Sequence, residues 1–382
     1  MARMLNPERV AASPVGQQEQ PVRSAGTLAL PDPFPLYRGG VLRGGQIAYE
    51  SWGELSPARD NAILLFTGLS PSAHAAATPD DSTPGWWQRM IGPDLALDTS
   101  RYCIICVNSL GSCFGSTGPA SIDPATGKSY GIDFPQLAIE DIASSARAAL
   151  EGLGIEEFAA VIGASLGGMS VLAFATQFPL AARRLVTISG SAAASPFAIA
   201  LRSVQREAVL RDPDWQGGHY PPEQPPRNGM RLARKLGTIT YRSAAEFSQR
   251  FGREPIGDNA LQLSAFAPRF AIEAYLEAQA ERFVRVFDPN CYLYLSSAMD
   301  RFNLAEHGGS FAAALHAVRS ETLVIGVESD MLFAIAEQAA IAQAFEQNGV
   351  PTRFVRIPSL EGHDSFLIDI PRFGAALRQF LA

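Results

Sequence analysis

The sequence predicts an α/β fold in which a mostly parallel central sheet is flanked by helices and interrupted by a helical insertion. Apolar runs with the composition of buried strands, such as 62–66 and 322–327, alternate with helical segments. Residues 158–178 have the pattern of a strand, a sharp turn and a helix in immediate succession. The alternation stops for more than a hundred residues after Ser189, which indicates an inserted cap of helices.

The chain is predicted to divide into a leader, a sheet domain in two parts, and a cap. Residues 1–30 are rich in Pro, Gln, Ala and Ser without periodicity, which is typical of a disordered leader. We expect the first part of the sheet domain at 31–190, the cap at 191–311 and the second part of the sheet domain at 312–382. With 382 residues, 47% of them hydrophobic, the chain can bury a large core.

The composition argues against several classes of partner. The net charge is −7 and Lys and Arg form no block, so neither nucleic acid nor an anionic membrane surface is an expected partner. No apolar run is long enough for a transmembrane helix, and the first thirty residues lack the apolar core of a signal peptide, so we expect a cytoplasmic protein. Cys103 and Cys106 have no second pair to complete a zinc site, and no metal is predicted.

Ser165 is the candidate nucleophile. It lies in a G-x-S-x-G turn, residues 163–167, between the predicted strand and the predicted helix, and such a turn exposes a serine at the carboxyl end of a sheet. The alternative is an ordinary tight turn between a strand and a helix. The free N–H of Leu166 and the positive end of the helix dipole would stabilise an oxyanion beside Ser165.

The loop after the strand at 62–66 is the second candidate part of the site. Open α/β sheets bind ligands at the carboxyl ends of their strands, and here the chain reads Thr67-Gly68-Leu69-Ser70-Pro71. We expect Gly68 and Pro71 to fix the shape of this loop. The N–H of Leu69 is predicted to be the second oxyanion donor.

Cys113 stands in a similar frame, residues 111–115, but is not predicted to be a nucleophile. The sequence after it contains Gly118-Pro119 and Asp123-Pro124, which cannot open a helix. Cys113 therefore lacks the helix amino terminus that follows Ser165.

A serine hydroxyl needs a general base that is itself oriented by a carboxylate, and in this topology the acid and then the histidine follow later strands. His363 is the predicted base, because it alone of the five histidines follows a late strand. Asp330 is the predicted acid, because it comes three residues after the strand ending at Val327; a helix cap or a solvated loop is the alternative. The less suitable candidates are His74, His219, His307, His316, Asp288 and Asp300.

Five motifs occur in order along the chain, at 108–119, 163–169, 230–234 with 240–243, 329–333 and 362–364. Together they resemble the homoserine O-acyltransferase family of α/β-hydrolase-fold enzymes. The resemblance covers about residues 34–382. It implies an α/β-hydrolase fold with an inserted cap, and a ping-pong reaction through an acyl-enzyme.

Four further segments, 67–71, 85–87, 197–207 and 287–296, are most similar to the serine O-succinyltransferase branch of that family. This branch implies transfer of a succinyl group from succinyl-CoA to the hydroxyl of L-serine in cysteine biosynthesis, with no cofactor beyond that co-substrate. The homoserine-using branches have His-Ala-Leu-Thr where this chain has Thr67-Gly68-Leu69-Ser70. Specificity for the amino acid is therefore assigned to Gly68, Leu69, Ser70 and Pro71.

The resemblance also implies roles for individual side chains. The catalytic triad consists of Ser165, Asp330 and His363. Arg234 and Asp364 bind the carboxylate and the ammonium group of the amino acid; a surface arginine is the alternative for Arg234. A succinyl donor further needs a cation for its distal carboxylate, and Arg202 is the candidate, with a salt bridge on the helix surface as the alternative.

Two other enzymatic functions stay open. A homoserine O-succinyl- or O-acetyltransferase of methionine biosynthesis is the first, and a serine ester hydrolase with the same triad is the second. The charged pair of Arg234 and Asp364 favours a transferase over a hydrolase. A non-catalytic scaffold would be expected to have a broken triad, whereas serine, acid and base are all present in order. The apolar helices of the cap suggest a homodimer; the alternative is that these helix faces pack only on the core of their own chain.

Overall fold

The computed structural model describes residues 24–256 and 267–382. Within these ranges one eight-stranded sheet consists of β1 Ala25–Ala29, β2 Gln46–Trp52, β3 Ala62–Phe66, β4 Cys103–Val107, β5 Ala160–Ala164, β6 Arg184–Ile188, β7 Glu321–Val327 and β8 Thr352–Ile357. Two short ribbons pair Phe34–Pro35 with Val41–Leu42 and Ile91–Gly92 with Leu97–Asp98.

The α-helices of the described residues are α1 Ile139–Glu151, α2 Leu166–Gln177, α3 Pro196–Leu210, α4 Arg227–Tyr241, α5 Ala244–Phe251, α6 Ala271–Phe283, α7 Pro289–Arg301, α8 Phe311–Ala314, α9 Ile335–Glu346, α10 Ser365–Ile368 and α11 Ile370–Leu381. Short 3₁₀ segments lie at Gly131–Asp133, Pro213–Gly218, Leu304–His307 and Gly362–Asp364. No helix in the described ranges is both long and apolar enough to cross a membrane.

The strand order across the sheet is β1-β2-β4-β3-β5-β6-β7-β8. Strand β2 runs antiparallel to β1 and to β4, and the other neighbouring strands pair in parallel. The central strands β3, β4 and β5 are buried along their whole length, because helices cover both faces of a parallel sheet. The prediction of a mostly parallel α/β sheet is confirmed.

The core lies on both faces of this sheet. Alternate residues of β3 point to opposite faces, so that Leu64 and Phe66 pack in the core that includes α1 and α2. Ile63 and Leu65 pack in the core that includes α11. Both faces of the sheet are therefore packed, and the loops at its carboxyl edge are where functional residues can lie.

The predicted leader, residues 1–30, extends too far along the chain. Ala25–Ala29 is an edge strand that pairs with residues 46–50 of β2, although residues 1–23 lie outside the described range. Only Leu28 of this strand is buried. A single buried side chain gives no alternating apolar pattern, which explains why the sequence did not indicate a strand.

Helices α3 to α8 lie between β6 and β7, where the sequence predicted the cap. Ser195 caps α3 by accepting from the N–H of Ala198, and Asp288 caps α7 by accepting from the N–H of Cys291. A proline follows each cap at the first helical position, as is common. The boundary predicted at residue 311 falls inside α8 and is a few residues too early.

Candidate active site

Ser165 lies at the tip of the sharp turn between β5 and α2. Its backbone has φ 59° and ψ −121°, a strained conformation for a residue with a side chain. A Cβ on Gly163 would lie 2.2 Å from the carbonyl oxygen of Gly167, and one on Gly167 would lie 2.6 Å from that of Phe66. Only glycine fits at both positions. The two glycines therefore let the backbone segments of the turn pack closely against each other and against β3, which holds Ser165 in place.

The structure brings together the three residues predicted to form the triad. Nε2 of His363 is 2.8 Å from Oγ of Ser165, and Nδ1 of His363 is 2.7 Å from Oδ2 of Asp330. Each residue follows a different parallel strand, β5, β7 or β8, and these strands end at the same edge of the sheet. The arrangement can transfer a proton from the serine hydroxyl to the imidazole.

The carboxylate of Asp330 is held from its other side. Its Oδ1 accepts hydrogen bonds of 2.9 Å from the backbone N–H groups of Leu332 and Phe333. The neighbouring Ser329 donates to the carbonyl of Ser359 and accepts from the N–H of Gly362. These bonds fix the acid and tie its loop to the loop of the base.

The imidazole of His363 is buried among aromatic rings. It stacks on Phe333 with ring centroids 4.8 Å apart, and Tyr241 and Phe366 each lie with their ring centroids 5.9 Å from it. Burial lowers the pKa of His363, but the charge and hydrogen bond of Asp330 outweigh this effect, and the pKa is raised above its usual value.

The raised pKa of His363 predicts the pH dependence of the enzyme. A general base must be neutral, so activity should be lost as the pH falls through this pKa. We expect the acid limb of a kcat/KM profile to have its midpoint above 6.5, the ordinary value for histidine. The profile should be measured with unfolding followed over the same pH range, to separate titration from denaturation. A midpoint well below 6.5 would contradict the arrangement.

The less suitable histidines and aspartates make contacts elsewhere. His74 and His307 pair with Glu50 and Glu140 at 2.8 and 2.9 Å, and His219 and His316 lie by Asp133 and the carbonyl of Ala313. Asp288 caps α7, and Asp300 pairs with two arginines. The thiol of Cys113 contacts the backbone of Val286 and Asp288.

A cavity between the cap and the carboxyl edge of the sheet contains Ser165. The sheet domain contributes Leu69, Ser165 and Leu332 to its lining. The cap contributes Leu201, Arg202, Gln205, Thr240, Tyr241, Tyr292 and Met299. The cap thus supplies most of the residues that line this cavity.

The two predicted oxyanion donors come from different segments, the start of α2 and the loop after β3. Leu166 is the first residue of α2, where the backbone N–H has no acceptor within the helix. Leu69 lines the cavity from the loop after β3. The expectation that Gly68 fixes the loop needs correction, because a Cβ there would meet Pro71 Cδ at 3.6 Å, an ordinary contact. A Cβ at position 68 therefore fits without displacing the loop.

Arg234 and Asp364 both lie near Tyr241. The guanidinium of Arg234 is 4.5 Å from the ring centroid of Phe283 and 5.7 Å from that of Tyr241; in the described chain it has no ion-pair partner. Burial raises the pKa of Tyr241, and the charges of Arg234 and Asp364 act on it in opposite directions. Burial also raises the pKa of Asp364, and the charges of Arg242, His363 and Arg234 oppose this effect.

Arg202 is buried, with 5% of its surface exposed. Its Nε is 2.5 Å from Oδ1 of Asp300. Its two Nη atoms are buried without a hydrogen-bond partner among the described residues. Because Arg202 lines the cavity with Ser165, these two donors could receive an anionic group of a substrate.

The sequence did not assign a role to several residues that build the site. Arg242 pairs with Asp364 and Glu361 at 3.1 Å each, and so attaches the end of α4 to the loop of His363. Gly362 in that loop has φ 67°, and a Cβ there would lie 2.9 Å from the N–H of Ser243. Tyr241 and Arg242 lie within the motif at 240–243, but nothing in a linear pattern shows that they meet the loop at 362–364. In the described residues, no group of His, Cys, Asp and Glu is arranged to hold a metal ion.

Comparison with known proteins agrees with this architecture. The alpha/beta hydrolase fold family matches residues 61–369. A serine O-succinyltransferase of Litchfieldella anticariensis is 52% identical over 93% of this chain and 97% of its own. One of Stenotrophomonas maltophilia is 52% identical over 92% of this chain and 96% of its own.

Two solved structures are also similar. The homoserine O-acetyltransferase from Bacillus anthracis has a TM-score of 0.87 at 26% identity, covering 95% of this chain and 98% of its own. Esterase E22 has a TM-score of 0.86 at 28% identity, covering 94% and 99%. The chain therefore belongs to the α/β hydrolase fold family, and within it to the homoserine O-acyltransferase family, in its serine O-succinyltransferase branch.

Proposed function

We propose that the protein is an acyltransferase that moves a succinyl group from succinyl-CoA to the hydroxyl of L-serine in cysteine biosynthesis. The observation that carries this proposal is the pairing, in one cavity, of the nucleophile Ser165 with the buried and incompletely paired Arg202. A nucleophile beside a buried cation suits an acyl group that ends in a carboxylate. The names of the relatives support the same donor and acceptor.

The first half of the reaction forms an acyl-enzyme. Nε2 of His363 takes the proton of Ser165 as Oγ bonds to the thioester carbon. The N–H groups of Leu166 and Leu69 stabilise the oxyanion of the tetrahedral intermediate. The C–S bond then breaks, and His363 returns the proton to the leaving thiolate of CoA.

The second half transfers the acyl group. The hydroxyl of L-serine gives its proton to Nε2 of His363 and attacks the ester carbon on Ser165. Collapse of the second intermediate breaks the bond to Oγ, which regains the proton from His363. Arg234 would hold the carboxylate of L-serine, and Asp364 its ammonium group, so that the hydroxyl faces the ester.

Replacement of Arg234 tests this part of the proposal. Arg234→Lys keeps the charge but loses the planar pair of donors that matches a carboxylate. We expect the KM for L-serine to rise about tenfold or more, with a smaller change in the rate of acyl-enzyme formation from succinyl-CoA. Arg227→Lys is the matched control, because Arg227 is exposed on the same helix. An unchanged KM for L-serine would remove Arg234 from the substrate site.

Homoserine differs from serine by one methylene, which is worth about 1–3 kcal/mol of discrimination. The structural likeness to a homoserine O-acetyltransferase keeps that acceptor as the second candidate. The likeness to esterase E22 keeps hydrolysis as the third, since water could replace the amino acid in the second half.

The experiment that separates these candidates follows free thiol release with succinyl-CoA or acetyl-CoA, combined with L-serine or L-homoserine. Fast release with succinyl-CoA and L-serine alone would support the proposal. Preference for homoserine would instead indicate methionine synthesis. Release at the same rate without any amino acid would indicate a hydrolase.

We also propose a homodimer formed through the cap. Apolar side chains on α3 and α4 are solvent-exposed in the single chain, among them Phe197, Val204 and Leu232 at 53%, 54% and 60%. Burying them against a second copy would remove apolar surface from water. Light scattering in solution should give twice the mass of the chain, and a monomer would contradict the proposal.

A cytoplasmic location is part of the proposed function, because the buried cysteines are free thiols.

A further inference from the structure

Arg206 carries a charge that the reaction proposed above does not use. It lies one turn after Arg202 on α3, so both side chains point to the same face of that helix. Its Nη1 is 2.6 Å from Oδ2 of Asp300 and donates to Oγ of Ser296 at 2.9 Å. Arg202 takes the other oxygen of Asp300 through Nε. One carboxylate on α7 thus bridges two arginines on α3.

This cluster has a surplus of positive charge. Two guanidinium groups against one carboxylate leave one positive charge. The side chains of Arg202 and Asp300 are only 6% and 9% exposed, and that of Arg206 is 21% exposed. Burying a charge without a partner costs free energy. The unpartnered Nη groups of Arg202 lie at the cavity that contains Ser165.

Glu337 is a second carboxylate on whose pKa the charge of Arg202 acts: burial raises this pKa, and Arg202 lowers it. It accepts a hydrogen bond from Ser191 at 3.3 Å instead. The ion pairs among the described residues include none between Glu337 and Arg202. Within the described chain, the surplus charge of the cluster is therefore left for a ligand.

We propose that Arg206 is a positioning residue that determines the acyl donor. By pairing with Asp300, Arg206 leaves the charge and both Nη groups of Arg202 available to a carboxylate at the end of the acyl group. Without Arg206, Asp300 would neutralise Arg202 and compete with the substrate for its Nη groups. This inference rests on the proposed succinyl-CoA activity.

The test compares charged and uncharged donors in Arg206→Gln. We expect kcat/KM for succinyl-CoA to fall about tenfold or more, chiefly through KM. The values for acetyl-CoA and for the activated ester p-nitrophenyl acetate should stay close to those of the wild type, because neither acyl group has a carboxylate. Arg211→Gln is the matched control, since the side chain of Arg211 at the end of α3 is 80% exposed.

Two further variants separate a charge effect from a folding effect. Arg206→Lys keeps the charge and should retain most of the preference for succinyl-CoA. The double variant Arg206→Gln with Asp300→Asn again leaves one positive charge, that of Arg202, and should regain part of the preference. These two variants carry the test if Arg206→Gln alone is too unstable to purify.

Equal losses for charged and uncharged donors would overturn the inference, because they would indicate a purely structural role for Arg206. An unchanged preference for succinyl-CoA in Arg206→Gln would also overturn it. If instead the wild-type enzyme does not prefer succinyl-CoA to acetyl-CoA, the proposed donor fails, and the inference fails with it.

Discussion

Ser165→Ala is expected to lower kcat for acyl transfer by about 10⁴- to 10⁶-fold. Oγ of Ser165 is the atom that bonds to the acyl carbon in the proposed reaction, and alanine leaves His363 no hydroxyl to deprotonate. The fold should persist, because alanine has the same Cβ as serine and adds no strain at φ 59°. The measurement is steady-state thiol release with succinyl-CoA and L-serine, with thermal unfolding alongside.

Cys113→Ala is the control for this experiment. Cys113 occupies the similar glycine frame at 111–115, but its thiol contacts the backbone at Val286 and Asp288. Its variant should keep an activity close to that of the wild type. An active Ser165→Ala enzyme together with an inactive Cys113→Ala enzyme would show that the nucleophile has been misassigned.

Asp330→Asn should have the second-largest effect, a loss of about 10⁴-fold in kcat. The Oδ1 of asparagine can still accept from Leu332 and Phe333, so the loop should stay in place. Its amide nitrogen would then face Nδ1 of His363 as a donor and force the ring proton onto Nε2. In that tautomer, Nε2 cannot accept the proton of Ser165.

The control for Asp330→Asn is Asp133→Asn, because the side chain of Asp133 is 79% exposed. Activity should be compared at saturating substrate, and unfolding should confirm that both variants are folded. An Asp330→Asn enzyme with activity close to that of the wild type would mean that Asp330 does not orient His363.

The triad could be predicted from the sequence because the place of each of its residues follows from the topology of the sheet. Ser165, Asp330 and His363 each lie in the segment that follows a strand of a parallel sheet, and the carboxyl ends of such strands meet at one edge. The short apolar strands and the glycine frame at 163–167 were visible as local patterns. The order of strands across the sheet then brings the three loops within hydrogen-bond distance.

Contacts between distant helices could not be predicted in this way. Arg202 and Arg206 are four residues apart and could be placed on one helix face, but their partner Asp300 is 98 residues from Arg202. The contact depends on how α3 packs on α7, which no periodicity in either helix specifies. From the sequence, Asp300 is therefore only a less suitable candidate for the catalytic acid, whereas in the structure it pairs with two arginines.

The start of the sheet was missed for a different reason. Strand β1 is an edge strand with one buried residue, Leu28. Its stability comes from backbone pairing with β2 rather than from an apolar face. Apolar sequence patterns indicate burial but not backbone pairing. In sequence, such a strand therefore resembles a segment without regular structure.

The central claim is that acyl transfer passes through an ester on Ser165. It is tested most directly by the intact mass of the protein after brief mixing with succinyl-CoA in the absence of amino acid. We predict an increase by the mass of one succinyl group, located on Ser165 by peptide mapping and removed on addition of L-serine with formation of O-succinylserine. Product formation without any such adduct, or an adduct that persists in Ser165→Ala, would contradict the account.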